Sequence, residues 1–109
     1  MGYTTEESKV TTKILSYLDG LQEKGAPLYY EHRSGSGGFN YKKGSPDLFI
    51  VYDGRHMEVE LKALNGQPST MQIKWQYKCE QIWHIPYCRP HSFEEFKAWF
   101  LLTTKREPE

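Results

Sequence analysis

The sequence predicts a mixed α/β fold in which helices flank a central mixed sheet. Three observations predict it: an apolar stripe at helical spacing near the start, two strand-like segments joined by a tight turn, and two later helical segments on either side of a short strand candidate. The predicted order is helix, three strands, helix, strand, helix, or αβββαβα. Because helices and strands in a short chain pack as layers around one core, we expect residues 1–109 to form a single domain.

The first half of the chain contains one helix and two strands. Five apolar residues recur at helical spacing and predict a helix over residues 6–24; they are Val10, Ile14, Leu15, Leu18 and Leu21. Residues 28–33 are rich in aromatic side chains and form a strand candidate. Glycine-rich residues 34–44 predict a loop. Residues 48–52 are a continuous apolar run, which is typical of a strand buried on both faces.

A hairpin follows this apolar run. Asp53-Gly54 is a two-residue turn signal, and residues 56–63 alternate between apolar and charged side chains, as expected of the returning strand. Ser69 is a suitable N-cap for a helix over residues 70–83. Residues 85–88 contain a proline and predict a short edge strand.

The last predicted helix begins after Ser92, a second N-cap candidate. Its aromatic residues recur at helical spacing and are expected to be core rather than interface; they are Phe93, Phe96, Trp99 and Phe100. An exposed part of this stripe would instead favour a dimer.

Composition excludes several classes of protein. Hydrophobic residues make up 38% and charged residues 26% of the chain, which is too apolar for a disordered protein. No apolar run approaches the length of a membrane span, so we expect a soluble, cytoplasmic domain without a membrane partner. Cys79 and Cys88 do not make a disulfide framework, and the spacing of the histidines and cysteines matches no common zinc site.

Charged residues near the hairpin form the candidate site. Counting outward from the Asp53-Gly54 turn places Asp47 opposite Glu60, and Lys62 projects from the same face as Glu60. Two carboxylates repel each other unless a cation lies between them, and oxygen ligands suit Mg²⁺ or Mn²⁺. A metal-activated water beside a lysine is the chemistry of phosphodiester hydrolysis.

A simpler interpretation of the same residues is a row of salt bridges on an exposed strand face. Glu58 shares the face of Glu60 but lies nearer the turn, so we expect it to be solvated or paired with Arg55. Glu7 is by itself an ordinary acid in the first turn of a helix, where the helix dipole favours it.

The motif around these residues resembles a known nuclease family. Gly44-Ser45-Pro46-Asp47-Leu48 is followed by Glu60-Leu61-Lys62-Ala63, and then by Gly66, Ser69 and Gln72. This series resembles the VRR-NUC family of PD-(D/E)XK nucleases, in its small stand-alone form known from bacteriophages and bacteria. The resemblance covers nearly the whole chain and implies a restriction-endonuclease-like core. The chain departs from the pattern where Trp83-His84 replaces the usual glycine-containing turn.

The resemblance implies a role for each matching residue. Asp47 and Glu60 would bind Mg²⁺ or Mn²⁺ together with the backbone carbonyl of Leu61, and Lys62 would be the catalytic lysine. Gln72 matches a glutamine that supports the catalytic site. The glutamate of the family's first helix matches Glu7, which would be a further metal ligand.

Basic residues near the candidate site suggest where a nucleic acid would bind. Residues 32–46 contain Arg33, Lys42 and Lys43 and no acidic residue, although the whole chain has 14 basic and 14 acidic residues. Arg33 matches a basic position that the resemblance places toward the substrate, and the two lysines would contact phosphates. The glycines of residues 35–38 have the wrong spacing for a dinucleotide site, so no nucleotide cofactor is expected.

The resemblance implies a metal-dependent DNA endonuclease acting on duplex or branched DNA. Small members of the family look like homodimers suited to four-way junctions, which favours a Holliday junction resolvase. A less selective nicking or flap nuclease, a catalytically silent DNA-binding module and a small interaction protein are the alternatives.

Overall fold

The structure is a computed structural model that describes residues 5–33, 46–61 and 70–105, without the side chains of residues 5–8. Its elements, in chain order, are α1 (Thr5–Glu23), β1 (Leu28–His32), β2 (Leu48–Tyr52), β3 (Arg55–Val59), α2 (Thr70–Tyr77), a π-helical turn (Lys78–Ile82), β4 (Tyr87–Cys88) and α3 (Phe93–Thr104). The predicted mixed α/β fold is confirmed. The restriction-endonuclease-like core stays a prediction.

The four strands form one mixed sheet in the order β1-β2-β3-β4. The first three strands are antiparallel neighbours, and β4 pairs with β3 in parallel. The turn residues Asp53 and Gly54 have φ values of 50° and 83°, and a type I′ hairpin requires positive φ at both. The register pairs Tyr52 with Arg55 and Leu48 with Val59, so the predicted hairpin register is confirmed.

The main core lies between one face of this sheet and the helices α1 and α3. Leu48, Ile50, Met57 and Val59 come from the sheet and are almost completely buried. The helices contribute a second set of buried side chains: Ile14, Leu18, Leu21, Phe96 and Phe100. Phe96 and Phe100 of the predicted aromatic stripe are therefore core, and Phe93 and Trp99 are partly buried against it.

Strand β3 is shorter than predicted. It ends at Val59 because its antiparallel partner β2 begins at Leu48, and the Glu60 N–H donates instead to the Cys88 carbonyl, at 2.9 Å. Leu61 lies beyond the strand but is still buried, at 3% exposure, and belongs to the main core. The predicted cap Ser69 lies outside the described residues.

The helix predicted over residues 70–83 is interrupted. An α-helix ends at Tyr77, and the chain widens into a π-helical turn that the Trp83 N–H closes on the Lys78 carbonyl, at 2.8 Å. His84 then has a φ of 55°, in the left-handed region that glycine adopts most easily. A π-helical turn adds only one residue to a helical turn, which changes the apolar periodicity too little for the sequence to predict it.

In the ranges that the structure describes, no helix is both long and apolar enough to cross a membrane.

Candidate active site

The alternation of side chains gives the sheet a second, polar face. We define the polar face as the side chains on the side of the sheet opposite to Leu48 and Val59. By register, these side chains are Tyr29, Glu31, Arg33, Asp47, Phe49, Val51, His56, Glu58, Glu60, Tyr87 and Arg89. Three of them are buried carboxylates, which are rare in protein interiors unless they are paired or bind a metal.

Asp47 and Glu60 lie at the end of the hairpin that is distant from its turn. The register that pairs Leu48 with Val59 continues one step to place Asp47 opposite Glu60. Their exposures are 2% and 1%, so the interpretation as an exposed row of salt bridges is wrong. Each carboxylate also interacts with other groups of the chain. Two acids in this arrangement destabilise the fold unless positive charge lies close by.

The donor set at this position fits Mg²⁺ or Mn²⁺. Asp47 and Glu60 supply carboxylate oxygens, and the backbone carbonyl of Leu61 follows Glu60 directly in the chain. Within the described ranges, no three His, Cys, Asp or Glu side chains are grouped as a complete metal site. A magnesium site of one or two carboxylates completed by carbonyl and water oxygens does not need a third such side chain.

Two arginines flank the carboxylate pair. The same register steps place Arg33 beside Asp47 and Arg89 beside Glu60, so one row across the sheet carries charges in the order plus, minus, minus, plus. The backbone N–H of Arg33 donates to the backbone carbonyl of Asp47, at 2.6 Å. The Arg89 guanidinium donates to the Gln76 side chain and lies 5.8 Å from the centre of the Tyr87 ring.

Glu58 belongs to this site, which the sequence prediction missed. Its exposure is 4%, and its Oε2 lies 2.6 Å from His56 Nε2, while its Oε1 lies 3.5 Å from Arg33 Nη1. Burial raises the pKa of Glu58, although the charges of His56 and Arg33 act in the opposite direction. Arg55 instead donates to the Thr103 carbonyl, at 3.4 Å, so the expected solvated or Arg55-paired state is wrong.

The expectation for Glu58 is wrong because a later helical segment covers the polar face. Cys79, in the π-helical turn, is completely buried; burial raises its pKa, and the Glu58 carboxylate adds to the shift. Gln76 of α2 accepts a hydrogen bond from Arg89 of the polar face. The sequence alternation of His56, Glu58 and Glu60 already placed these residues on one face. The sequence did not indicate that a later helical segment would cover that face.

The remaining predicted site residues have different outcomes. Arg33 lies on the polar face beside Asp47, as described above. Gln72 is a half-buried residue of α2 that interacts with other groups of the chain. Three predicted basic residues lie outside the described residues: Lys42, Lys43 and Lys62. The side chain of Glu7 is not described either.

Comparisons of this chain with protein-family models, with curated proteins and with solved structures find no match in any of the three.

Proposed function

We propose that this chain is a metal-dependent DNA endonuclease of the VRR-NUC type, built on a restriction-endonuclease-like core. The observation that carries the proposal is the buried pair of Asp47 and Glu60, each of which lies one residue beyond the last strand pair, Leu48 and Val59. The element order and the parallel addition of β4 to an antiparallel hairpin support it further. The motif that resembles the family places a lysine two residues after the second acid.

Each residue in the motif has a role in this proposal. Asp47, Glu60 and the Leu61 carbonyl would hold Mg²⁺ or Mn²⁺, and Glu7 would be a further ligand. When bound, such a metal lowers the pKa of a coordinated water and stabilises charge on a phosphoryl group. Lys62 would orient the attacking water and add positive charge near the phosphate. Gln72 would support the site from α2.

Duplex or branched DNA is the proposed substrate. Lys42 and Lys43 would contact backbone phosphates, and they belong to a stretch without any acidic residue. A chain with one such site cuts one strand, so symmetric cutting of a four-way junction needs two chains. We therefore propose a homodimer that acts as a Holliday junction resolvase.

Two alternatives make different predictions. A nicking or flap nuclease of the same mechanism would cut linear duplex or flap DNA as fast as a four-way junction. A silent DNA-binding module would bind DNA without cutting it under any metal. The buried acid pair favours an enzyme, because binding to phosphates does not require two opposed carboxylates and their burial is costly.

The test is cleavage of a labelled panel containing linear duplex, single strand, 5′ flap, replication fork and four-way junction. Each substrate is incubated with Mg²⁺, Mn²⁺ or EDTA. We expect cutting in either metal, none in EDTA, and a loss of at least about a hundredfold in Lys62→Ala. Lys78→Ala, an exposed lysine of the π-helical turn, is the matched control and should cut normally.

The results separate the candidates. Paired symmetric nicks in the junction would support a resolvase, and equal cutting of every substrate would support the less selective nuclease. Binding without cutting would leave the silent module. Cutting that survives in Lys62→Ala would contradict the proposed active site.

A further inference from the structure

Arg33 holds the chain at Asp47 through both its backbone and its side chain. Its N–H donates to the Asp47 carbonyl, at 2.6 Å, and its Nη1 donates to the Pro46 carbonyl, at 3.0 Å. These two bonds lie on either side of the Asp47 N–H and Cα. The backbone that carries the Asp47 carboxylate is therefore fixed to the end of β1.

The Arg33 guanidinium is itself held in place by the polar face. Nη1 lies 3.5 Å from Glu58 Oε1, and the guanidinium carbon lies 5.4 Å from the centre of the Phe49 ring. Glu58 is held in turn by His56, at 2.6 Å, and the rings of Phe49 and His56 lie 4.4 Å apart. Four side chains thus form a closed network: Arg33, Phe49, His56 and Glu58.

This geometry differs from that of an arginine that contacts a DNA phosphate. The Arg33 side chain is 29% exposed, and its nitrogen Nη1 already donates to the Pro46 carbonyl and lies 3.5 Å from the Glu58 carboxylate. A guanidinium holds its donors in a rigid planar fork, whereas a lysine presents its donors from a single point charge on a flexible stem. A misplacement of about 1 Å at a reacting group can cost about a hundredfold in rate.

We propose that Arg33 and Glu58 are positioning residues, which hold the backbone at Asp47 so that its carboxylate is placed for metal binding. This inference rests on the proposed function. It replaces the expected role of Arg33 as a DNA contact and gives Glu58 a role that the motif does not include.

The first experiment measures Mn²⁺ affinity in the absence of DNA for wild type, Arg33→Lys, Arg33→Gln and Glu58→Gln. We expect a weakening of roughly 10- to 100-fold in all three variants, as for residues that orient metal ligands. Arg55→Gln is the matched control, because Arg55 belongs to the same hairpin but lies outside the network. DNA affinity in EDTA should stay within about twofold of wild type in Arg33→Lys and Glu58→Gln.

The opposite pattern would overturn the inference. If Arg33 contacts DNA, Arg33→Gln weakens DNA binding and raises KM, Arg33→Lys restores most of the affinity, and Mn²⁺ affinity does not change. Glu58→Gln would then have no effect on either ligand. Unfolding in urea checks that each variant is folded, and Arg33→Lys keeps the test valid if Arg33→Gln does not fold.

A second readout does not depend on any metal. Hydrogen exchange of the Arg33 amide reports the bond to the Asp47 carbonyl, and we expect it to quicken at least about tenfold in Glu58→Gln. Unchanged exchange would overturn the positioning role even if the protein is a nuclease. Absence of Mn²⁺ binding in wild type would instead contradict the proposed function, and the exchange rates would still decide the positioning role.

Discussion

The two faces of the sheet bury different kinds of side chains. One face carries Leu48, Ile50, Met57 and Val59 against α1 and α3, and each fully buried apolar side chain stabilises the fold by about 1.5–3 kcal/mol. The polar face buries three carboxylates instead, and burying a charge costs free energy even when it is paired. Folding stability therefore explains the composition of the first face but not that of the second, which is where function is expected.

The helical segments that cover the two faces differ in the same way. Phe96 and Phe100 of α3 are completely buried, whereas none of the residues of α2 is buried. Met71, Ile73 and Tyr77 of α2 are exposed by 41%, 53% and 60%. Because few apolar groups hold α2, we expect the cover of the polar face to open more easily than the main core.

The largest expected effect comes from truncation of the main core. Phe96→Ala should lower the free energy of unfolding by about 3–5 kcal/mol, because it removes a completely buried ring from the contact between α3 and the sheet. Ile73→Ala, in the cover of the polar face, should change it by less than about 0.5 kcal/mol. Urea unfolding measures both. Equal losses would contradict the comparison between the two covers.

An intermediate effect is expected for the two thiols, one on each side of the sheet. Cys79 is buried in the π-helical turn, within electrostatic reach of Glu58 and outside the main core, whereas Cys88 is buried in the main core. Each single variant leaves one thiol: Cys79 in Cys88→Ser and Cys88 in Cys79→Ser. In native buffer, Cys79 should react with a thiol reagent at least about tenfold faster than Cys88. Mass spectrometry of the labelled protein over time gives both rates.

Labelling in denaturant is the control, since the two thiols should then react at similar rates. Faster labelling of Cys88 in the native protein would contradict the view that the polar face is covered by the less stable segment.

The last effect is a loss of stability in alkali. Burial raises the pKa of Cys79 from 9.0 to about 11 and that of Cys88 from 9.0 to about 12. It also raises the pKa of Tyr30 and of Tyr87 from 10.0 to about 12, with the Asp19 carboxylate adding to the shift in Tyr30. Each group binds its proton more tightly in the folded state, so its contribution is complete below the unfolded pKa and is lost as pH rises through the folded pKa.

The urea midpoint should therefore fall between about pH 9 and pH 12. The Cys79→Ser and Cys88→Ser double variant should lose less over the lower part of that range, because its thiols no longer ionise. The window set by these groups includes the range from about pH 8.5 to about pH 11.5. A urea midpoint that stays constant over that range would show that the groups are not buried in solution.

Most of the fold could be predicted because it depends on local patterns. The turn at Asp53-Gly54 sets the hairpin register, and Ser92 caps α3 by accepting a hydrogen bond from the Glu95 N–H, at 3.0 Å. The π-helical turn at Lys78–Ile82 could not be predicted, because its hydrogen bonds depend on packing rather than on sequence period.

The candidate site could be predicted only in part. Asp47 and Glu60 followed from the hairpin register, which is local. The surroundings of Glu58 include Cys79, in a later π-helical turn, and Arg33, the residue that follows β1. Contacts between distant segments leave no periodic signal in one sequence, so that part of the network required the structure.

The central claim is that the buried acid pair is present for chemistry and not for stability. The most direct test is the rate at which Glu60→Gln cuts a labelled four-way junction in Mg²⁺, with urea unfolding measured on the same sample. We expect the rate to fall at least about a hundredfold while the unfolding free energy falls by less than about 1 kcal/mol, because one of two opposed charges is removed. A variant that cuts at the wild-type rate would contradict the claim.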